Sequence, residues 1–165
     1  MKLSVTILFL LALFACNNKE NPKIHLPSQV YHYVKIDTAV LANKHSVYVP
    51  VYSHIYAEAG TSVISLTATL SIRNISYSDS FYVTDVIYYD SQGEVLKRYL
   101  NSSVLVKPMT SIEFVVERTE SKGGAGANFV VKWGAPTIGS EPLIQIVMNG
   151  TSTGISLITN GVEMK

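Results

Sequence analysis

From Thr61 to Asn74 the side chains alternate with a period of two. Val63, Ser65, Thr67, Thr69 and Ser71 fall on one face, and Ile64, Leu66, Ala68, Leu70 and Ile72 on the other. A strand with one polar face and one core face reads this way, whereas a helix would scatter these residues around its axis. Ser46 to Tyr56 repeats the pattern. Val47, Val49, Val51 and Ile55 point one way, and Tyr48, Pro50, Tyr52, His54 and Tyr56 the other. Pro50 has no N–H for a ladder, so this strand lies at an edge or is interrupted there. Val30–Ile36 reads as an edge strand. Phe81–Tyr89 runs into Asp90-Ser91-Gln92-Gly93, where Asp opens and Gly closes a turn, so Glu94–Leu100 returns as a hairpin. Val104–Val106, Ser111–Glu117, the stretch holding Phe129, Val131 and Trp133, Leu143–Met148 and Ile155–Thr159 complete the set. About eight or nine short strands with frequent turns predict an all-β fold: a single antiparallel β-sandwich, immunoglobulin-like in outline. The disulfide of antibody-type domains is absent, so Trp133 packs without one.

Ahead of the strands, Leu3 to Ala15 is apolar except for Ser4 and Thr6, and it follows Lys2. The run has the length of a signal-peptide core and falls short of the ~20 residues a membrane-spanning helix needs. It closes on Leu13-Phe14-Ala15-Cys16, which resembles the bacterial lipobox. The resemblance implies cleavage before Cys16 and its acylation with palmitate-type chains, several together giving a stable membrane anchor. Asn17, in place of Asp, favours the outer membrane where a cell has two. The expected organisation is a lipoprotein signal peptide at 1–15, a lipidated N-terminus and linker at 16–45, and the β domain at 46–165.

Cys16 is the single cysteine. The chain therefore forms no internal disulfide and, once acylated, offers no thiol nucleophile or thiolate metal ligand. Loss of the leader removes Lys2 and leaves basic and acidic residues equal in number, with no basic stripe, which argues against a nucleic-acid partner. All 10 tyrosines and all 4 histidines lie between His25 and Tyr99. A recognition surface built on these residues must come from the first half.

Several stretches resemble one family in combination: Val47-Tyr48-Val49-Pro50-Val51-Tyr52-Ser53-His54-Ile55-Tyr56, Leu70-Ser71-Ile72-Arg73-Asn74, Val86-Ile87-Tyr88-Tyr89-Asp90 through Gly93, Gly123 through Phe129, and Met148 through Ser152. It is the exported bacterial family catalogued as domain of unknown function 3124. The resemblance spans roughly Ser46 to Thr159 and implies an exported single domain without implying an activity. In similar exported domains the Asn of the Arg-Asn pair serves the following turn.

Few motifs carry chemistry. Gly150-Thr151-Ser152-Thr153-Gly154 matches the serine-hydrolase elbow, but that elbow needs a helix after the serine and a histidine later in the chain. Here the next residues alternate as a strand and every histidine comes earlier. Gly123-Gly124-Ala125-Gly126 is either an anion-binding nest of backbone N–H groups or a plain hairpin loop, with Asn128 placed to cap it. Tyr48, Tyr52, His54 and Tyr56 share one strand face, either a shelf for a ligand or partner or an outer sheet face under a loop. His54 with His45, Met109 and Met148 would suit copper, although no local spacing groups them. The expected function is a lipid-anchored cell-envelope protein with a non-catalytic binding domain for an envelope protein or small ligand. Envelope handling of copper or zinc is the first alternative and a hydrolase the second. No cofactor, catalytic residue or metal site is assigned. Replacing Cys16 with Ser is expected to move the protein from the membrane pellet to the soluble fraction while its circular dichroism stays unchanged; a substituted protein that still sediments with membranes would refute the anchor.

Overall fold

Alternation becomes two antiparallel sheets and a ribbon. The computed structural model describes residues 29–137, 139, 141–150 and 154–165. The expected signal peptide, Cys16, the polar segment after it and Ser152 lie outside the described residues. The larger sheet has seven strands. It runs β1 (Tyr33–Val34), β8 (Ser103–Val106), β6 (Phe81–Tyr89), β10 (Asn128–Ala135), β2 (Asn43–Pro50), β13 (Val162–Glu163), with β7 (Val95–Arg98) also paired to β6. The four-stranded sheet runs β12 (Ile155–Asn160), β11 (Leu143–Gly150), β5 (Thr67–Arg73), β9 (Ser111–Val116). A separate ribbon pairs β3 (His54–Ala57) with β4 (Ser62–Ser65). The fold is thus all-β and antiparallel, it is not a closed barrel, and its strands fall into three sheets. No helix among the described residues is long and apolar enough to cross a membrane.

Inward residues of both large sheets share one hydrophobic cluster. Val49, Val83, Val86, Phe129 and Val131 come from one sheet, and Leu70, Ile72, Phe114, Ile146 and Met148 from the other. Each fully buried aliphatic or aromatic side chain contributes ~1.5–3 kcal/mol relative to exposure. Trp133 is buried without a disulfide, edge-on to Phe81 at 5.7 Å.

Two long alternating runs each break in the middle. Ser46–Tyr56 splits at Pro50, where β2 ends and the chain leaves the large sheet. Thr61–Asn74 splits at Leu66, whose N–H donates to the Ser53 carbonyl at 2.8 Å between β4 and β5. Side-chain periodicity survives both breaks because the ribbon turns the corner from one sheet to the other without changing which face is apolar. The expected edge strand at Val30–Ile36 shortens to β1, paired with β8. Contacts with the body begin upstream of residue 46. Tyr31 stacks on Phe114 at 5.6 Å, and Leu41 is buried. Tyr31 donates its hydroxyl to the Glu113 carbonyl at 2.6 Å, and Tyr99 donates to the Val115 carbonyl at 3.0 Å, both on β9.

Turns follow their residues. Asp90 accepts the N–H groups of Gln92 and Glu94 at 2.9 and 2.8 Å, and Gly93 takes the positive φ of 86°. Asn74 is buried where β5 ends. Its amide donates to the Asp79 carbonyl at 2.7 Å and the Val106 carbonyl at 3.1 Å, and its side-chain oxygen accepts the Ser76 N–H at 2.9 Å. It therefore holds the 74–79 turn and ties it to β8. Asn74→Ala is expected to cost about 2–4 kcal/mol in urea unfolding, because it orphans buried backbone groups. Asn74→Asp should be no milder, since it keeps the acceptor but loses both donors.

Candidate functional site

The alternation through β2 and its exit buries Val47, Val49 and Val51 and turns their neighbours outward. Tyr48 and Tyr52 are each 37% exposed and Tyr56 is 65% exposed. Tyr48 stands on β2 of the large sheet, and His54 and Tyr56 stand on β3 of the ribbon. Tyr52 lies between them, its N–H donating to the Met148 sulfur at 3.2 Å. His54 and Tyr56 meet ring edge to ring face at 5.5 Å, and His54 Nδ1 lies 3.4 Å from the Ser53 hydroxyl. The Tyr/His stripe is open to solvent, but the corner at residues 51–53 divides it between two sheets.

Residues considered for copper have separate engagements. His45 stacks on Trp133 at 4.4 Å and its Nδ1 meets the Glu163 carboxylate at 2.5 Å. Met148 is fully buried, and Met109 is exposed in the turn after β8 with φ 56°. No group of three or more His, Cys, Asp or Glu side chains among the described residues is placed to hold a metal ion. On either side of the Gly-x-Ser-x-Gly motif, Gly150 and Ile155 pair across the β11–β12 hairpin, so a strand follows the motif where the elbow requires a helix.

The glycine loop is built into the body. The Gly124 N–H donates to the Ser53 hydroxyl at 2.8 Å and the Gly126 N–H donates to the Ser91 hydroxyl at 2.9 Å. These are donors an anion nest would need, and they are already committed. The glycines serve close approach. A Cβ on Gly123 would fall 1.9 Å from the Tyr88 hydroxyl oxygen, and one on Gly124 would fall 2.4 Å from Ser91 Oγ. Asn128 opens β10, paired with Pro50 and Tyr89.

Beside this loop is a cavity of about 220 Å³ that sequence reasoning did not find. Tyr88 comes from β6, Leu96 and Lys97 from β7, Tyr99 from just beyond it, and Glu117 and Glu120 from the segment after β9. Tyr88 is 1% exposed and packs on Phe129, with ring centres 5.0 Å apart. Its hydroxyl has no hydrogen-bond partner among the described residues. Burial pushes its pKa up to about 12, with smaller contributions from the Glu120 and Asp90 charges. Tyr99 is raised further, again chiefly by burial, then by Tyr88, Glu120 and Tyr31. The Lys97 ammonium sits 4.3 Å from the centre of the Tyr99 ring.

A family model described as "Protein of unknown function (DUF3124)" matches residues 44–164. No curated protein matches the chain. Among solved structures, that of Thermotoga maritima 1070 is similar at 10% identity and a TM-score of 0.41, covering 72% of this chain and 92% of that one.

The raised Tyr88 pKa has a definite sign. The folded state holds this proton above pH 10, where the unfolded chain releases it, so stability falls as pH rises from about 10 to about 12. Tyr88→Phe is expected to flatten that fall in urea midpoints measured from pH 8 to 11.5. At pH 7 it should be neutral or slightly stabilising, because it removes a buried hydroxyl that has no partner.

Proposed function

The chain belongs to the DUF3124 family, and from that premise we propose that it is a lipid-anchored cell-envelope protein whose β domain binds a partner without catalysis. The anchor reading rests on the apolar leader and on Cys16 at the position a lipobox requires. The outer membrane is favoured where two are present, because Asn17 follows the cysteine. For the scaffold we propose an immunoglobulin-like sandwich in outline. The single hydrophobic cluster shared by the two large sheets supports it, as do the β5–β9 and β6–β10 pairings, which resemble the B–E and C–F neighbours of that fold. The ribbon β3–β4 would then be an addition to the sandwich.

The observation that carries the binding reading is the open ridge of Tyr52, His54 and Tyr56. Large aromatic side chains with polar tips give much contact area at little rotamer entropy, which is why tyrosine dominates many recognition surfaces. Here His54 and Tyr56 stand on the β3–β4 ribbon and Tyr52 just before it, so the three side chains lie close along one stretch of exposed surface. Chemical cross-linking of intact envelopes followed by affinity capture tests the proposal. The native chain should retain a specific envelope protein that the Tyr52→Ala/His54→Ala/Tyr56→Ala variant loses. Identical captures from both proteins would remove the ridge as the binding surface.

A further inference from the structure

We propose that the end of the β domain at which the chain enters it rests on the membrane, its 74–79 and 107–110 turns setting exposed apolar side chains into the lipid headgroup layer. The proposal rests on the lipid anchor inferred above and adds a second, non-covalent contact to it. Topology is the first observation. Tyr33 pairs with Val104 on β8, and the Leu105 N–H donates to the His32 carbonyl at 2.9 Å. Continued back along the chain, this antiparallel register sets Val30 level with Lys107, where β8 runs out into its turn. The chain thus enters the large sheet at the border where Phe81 pairs with Val106. Tyr89, Asn128 and Pro50 mark the opposite border, from which the tyrosine ridge leaves. Only residues 17–28 separate Cys16 from Gln29. Fully extended, that segment reaches at most about 45 Å. An acylated Cys16 therefore confines the entry end to a thin layer over the bilayer, where even a weak surface contact forms at high effective concentration.

The second observation is what this end exposes. The Asn74 N–H donates to the Thr110 carbonyl at 2.9 Å and the Met109 N–H to the Ser76 carbonyl at 3.1 Å, so the two turns form one tied surface. Ile75, Tyr77 and Met109 are exposed on it, and Val30 is exposed on the same border. Tyr77, at 88%, is the most exposed large apolar side chain among the described residues. Apolar side chains gathered in this way mark a contact surface, whereas single ones scattered over a protein do not. Arg73 and Lys107 are exposed beside them. The one acidic residue of the two turns, Asp79, has its carboxylate on the Ser76 and Ser78 hydroxyls at 3.2 and 3.0 Å. A tyrosine ring suits the boundary between lipid and water, and long cationic side chains lay their stems along lipid while their charges meet phosphates. The third observation is Met109 itself. Its φ of 56° lies in the left-handed region, where glycine would sit without strain. A long apolar side chain held there in solvent serves neither the turn nor the core, and insertion into the headgroup layer gives it a role.

Tryptophan quenching by brominated lipid tests the proposal. The acylated full-length chain is carried from detergent into vesicles of phosphatidylethanolamine and phosphatidylglycerol, either plain or brominated on the acyl chains near the headgroup. Trp133 is the single native tryptophan and is buried, so the native chain supplies the background. In brominated vesicles the added emission of Tyr77→Trp is expected to fall about twofold, and that of Tyr56→Trp, at the far end, to stay unchanged. Adding Ile75→Ser and Met109→Gly to Tyr77→Trp should remove most of the quenching. The thermal midpoint should stay equal or rise, because glycine relieves the backbone at 109. A merely structural role for these side chains would lower it. Flotation of the same samples separates this surface from the anchor. A chain that floats with equal quenching at both positions, or with none at either, keeps its anchor and overturns the surface contact. A chain that does not float overturns both. Emission from Tyr77→Trp that shifts with protein density in plain vesicles would assign the surface to a second copy and overturn the membrane contact.

Discussion

Ser53 is the point at which the parts of this molecule are joined. Its N–H donates to the Gly124 carbonyl at 3.1 Å, its hydroxyl receives the Gly124 N–H at 2.8 Å, and its carbonyl receives the Leu66 N–H at 2.8 Å. One buried residue thus ties the exit of β2, the entry to β5 and the glycine loop that leads into β10. Both large sheets and the ribbon meet there. A serine can do this because its hydroxyl accepts while its own backbone donates, and because it is small enough to be enclosed at 2% exposure. The tyrosine ridge stands on the residues to either side of Ser53, Tyr52 before and His54 and Tyr56 after, so its position depends on the same junction.

The sequence conveyed the faces of the strands better than their ends. In β9 the apolar parity predicts burial residue by residue, with Ile112, Phe114 and Val116 inward, and in β5 it places Ala68, Leu70 and Ile72 inward but misses Ser71, which is buried on the face read as polar. Breaks at Pro50 and Leu66 were partly legible, since proline announces the first and nothing local announces the second. The Leu66 break arises from a hydrogen bond to a residue thirteen positions earlier, which no short-range pattern encodes. The Asp90 and Asn74 turns were legible because their side chains act on their own neighbours.

The cavity was hidden by a bulge. Phe81 and Val83 point inward, and unbroken alternation would carry Asp85, Ile87 and Tyr89 inward after them. Between Lys132 and Trp133 the β6–β10 register slips by one residue, with Thr84 as the extra member. Parity reverses, and Val86 and Tyr88 become inward residues. A reader who trusted the period would have placed Tyr88 outside, beside Tyr82, and would have had no reason to connect it with Gly123. The signal that remained was compositional: a glycine run from Gly123, offering room for something large, well downstream of the tyrosine-rich strand that ends at Tyr89.

The tyrosine hydroxyls on β9 affect more than the core beneath them. An outer strand exposes a row of unused carbonyls and N–H groups, to which a foreign strand adds readily. On β9 the carbonyls of Glu113 and Val115 are already occupied by Tyr31 and Tyr99. Across the molecule, β1 and β13 end the large sheet with two residues each, too short a template for another chain. The opposite border of the four-stranded sheet is different. There β12 runs six residues from Ile155 to Asn160, with Ile158 two-thirds exposed. Among these outer strands β12 therefore offers a longer template than β1 or β13, on the border farthest in sheet order from the tyrosine caps.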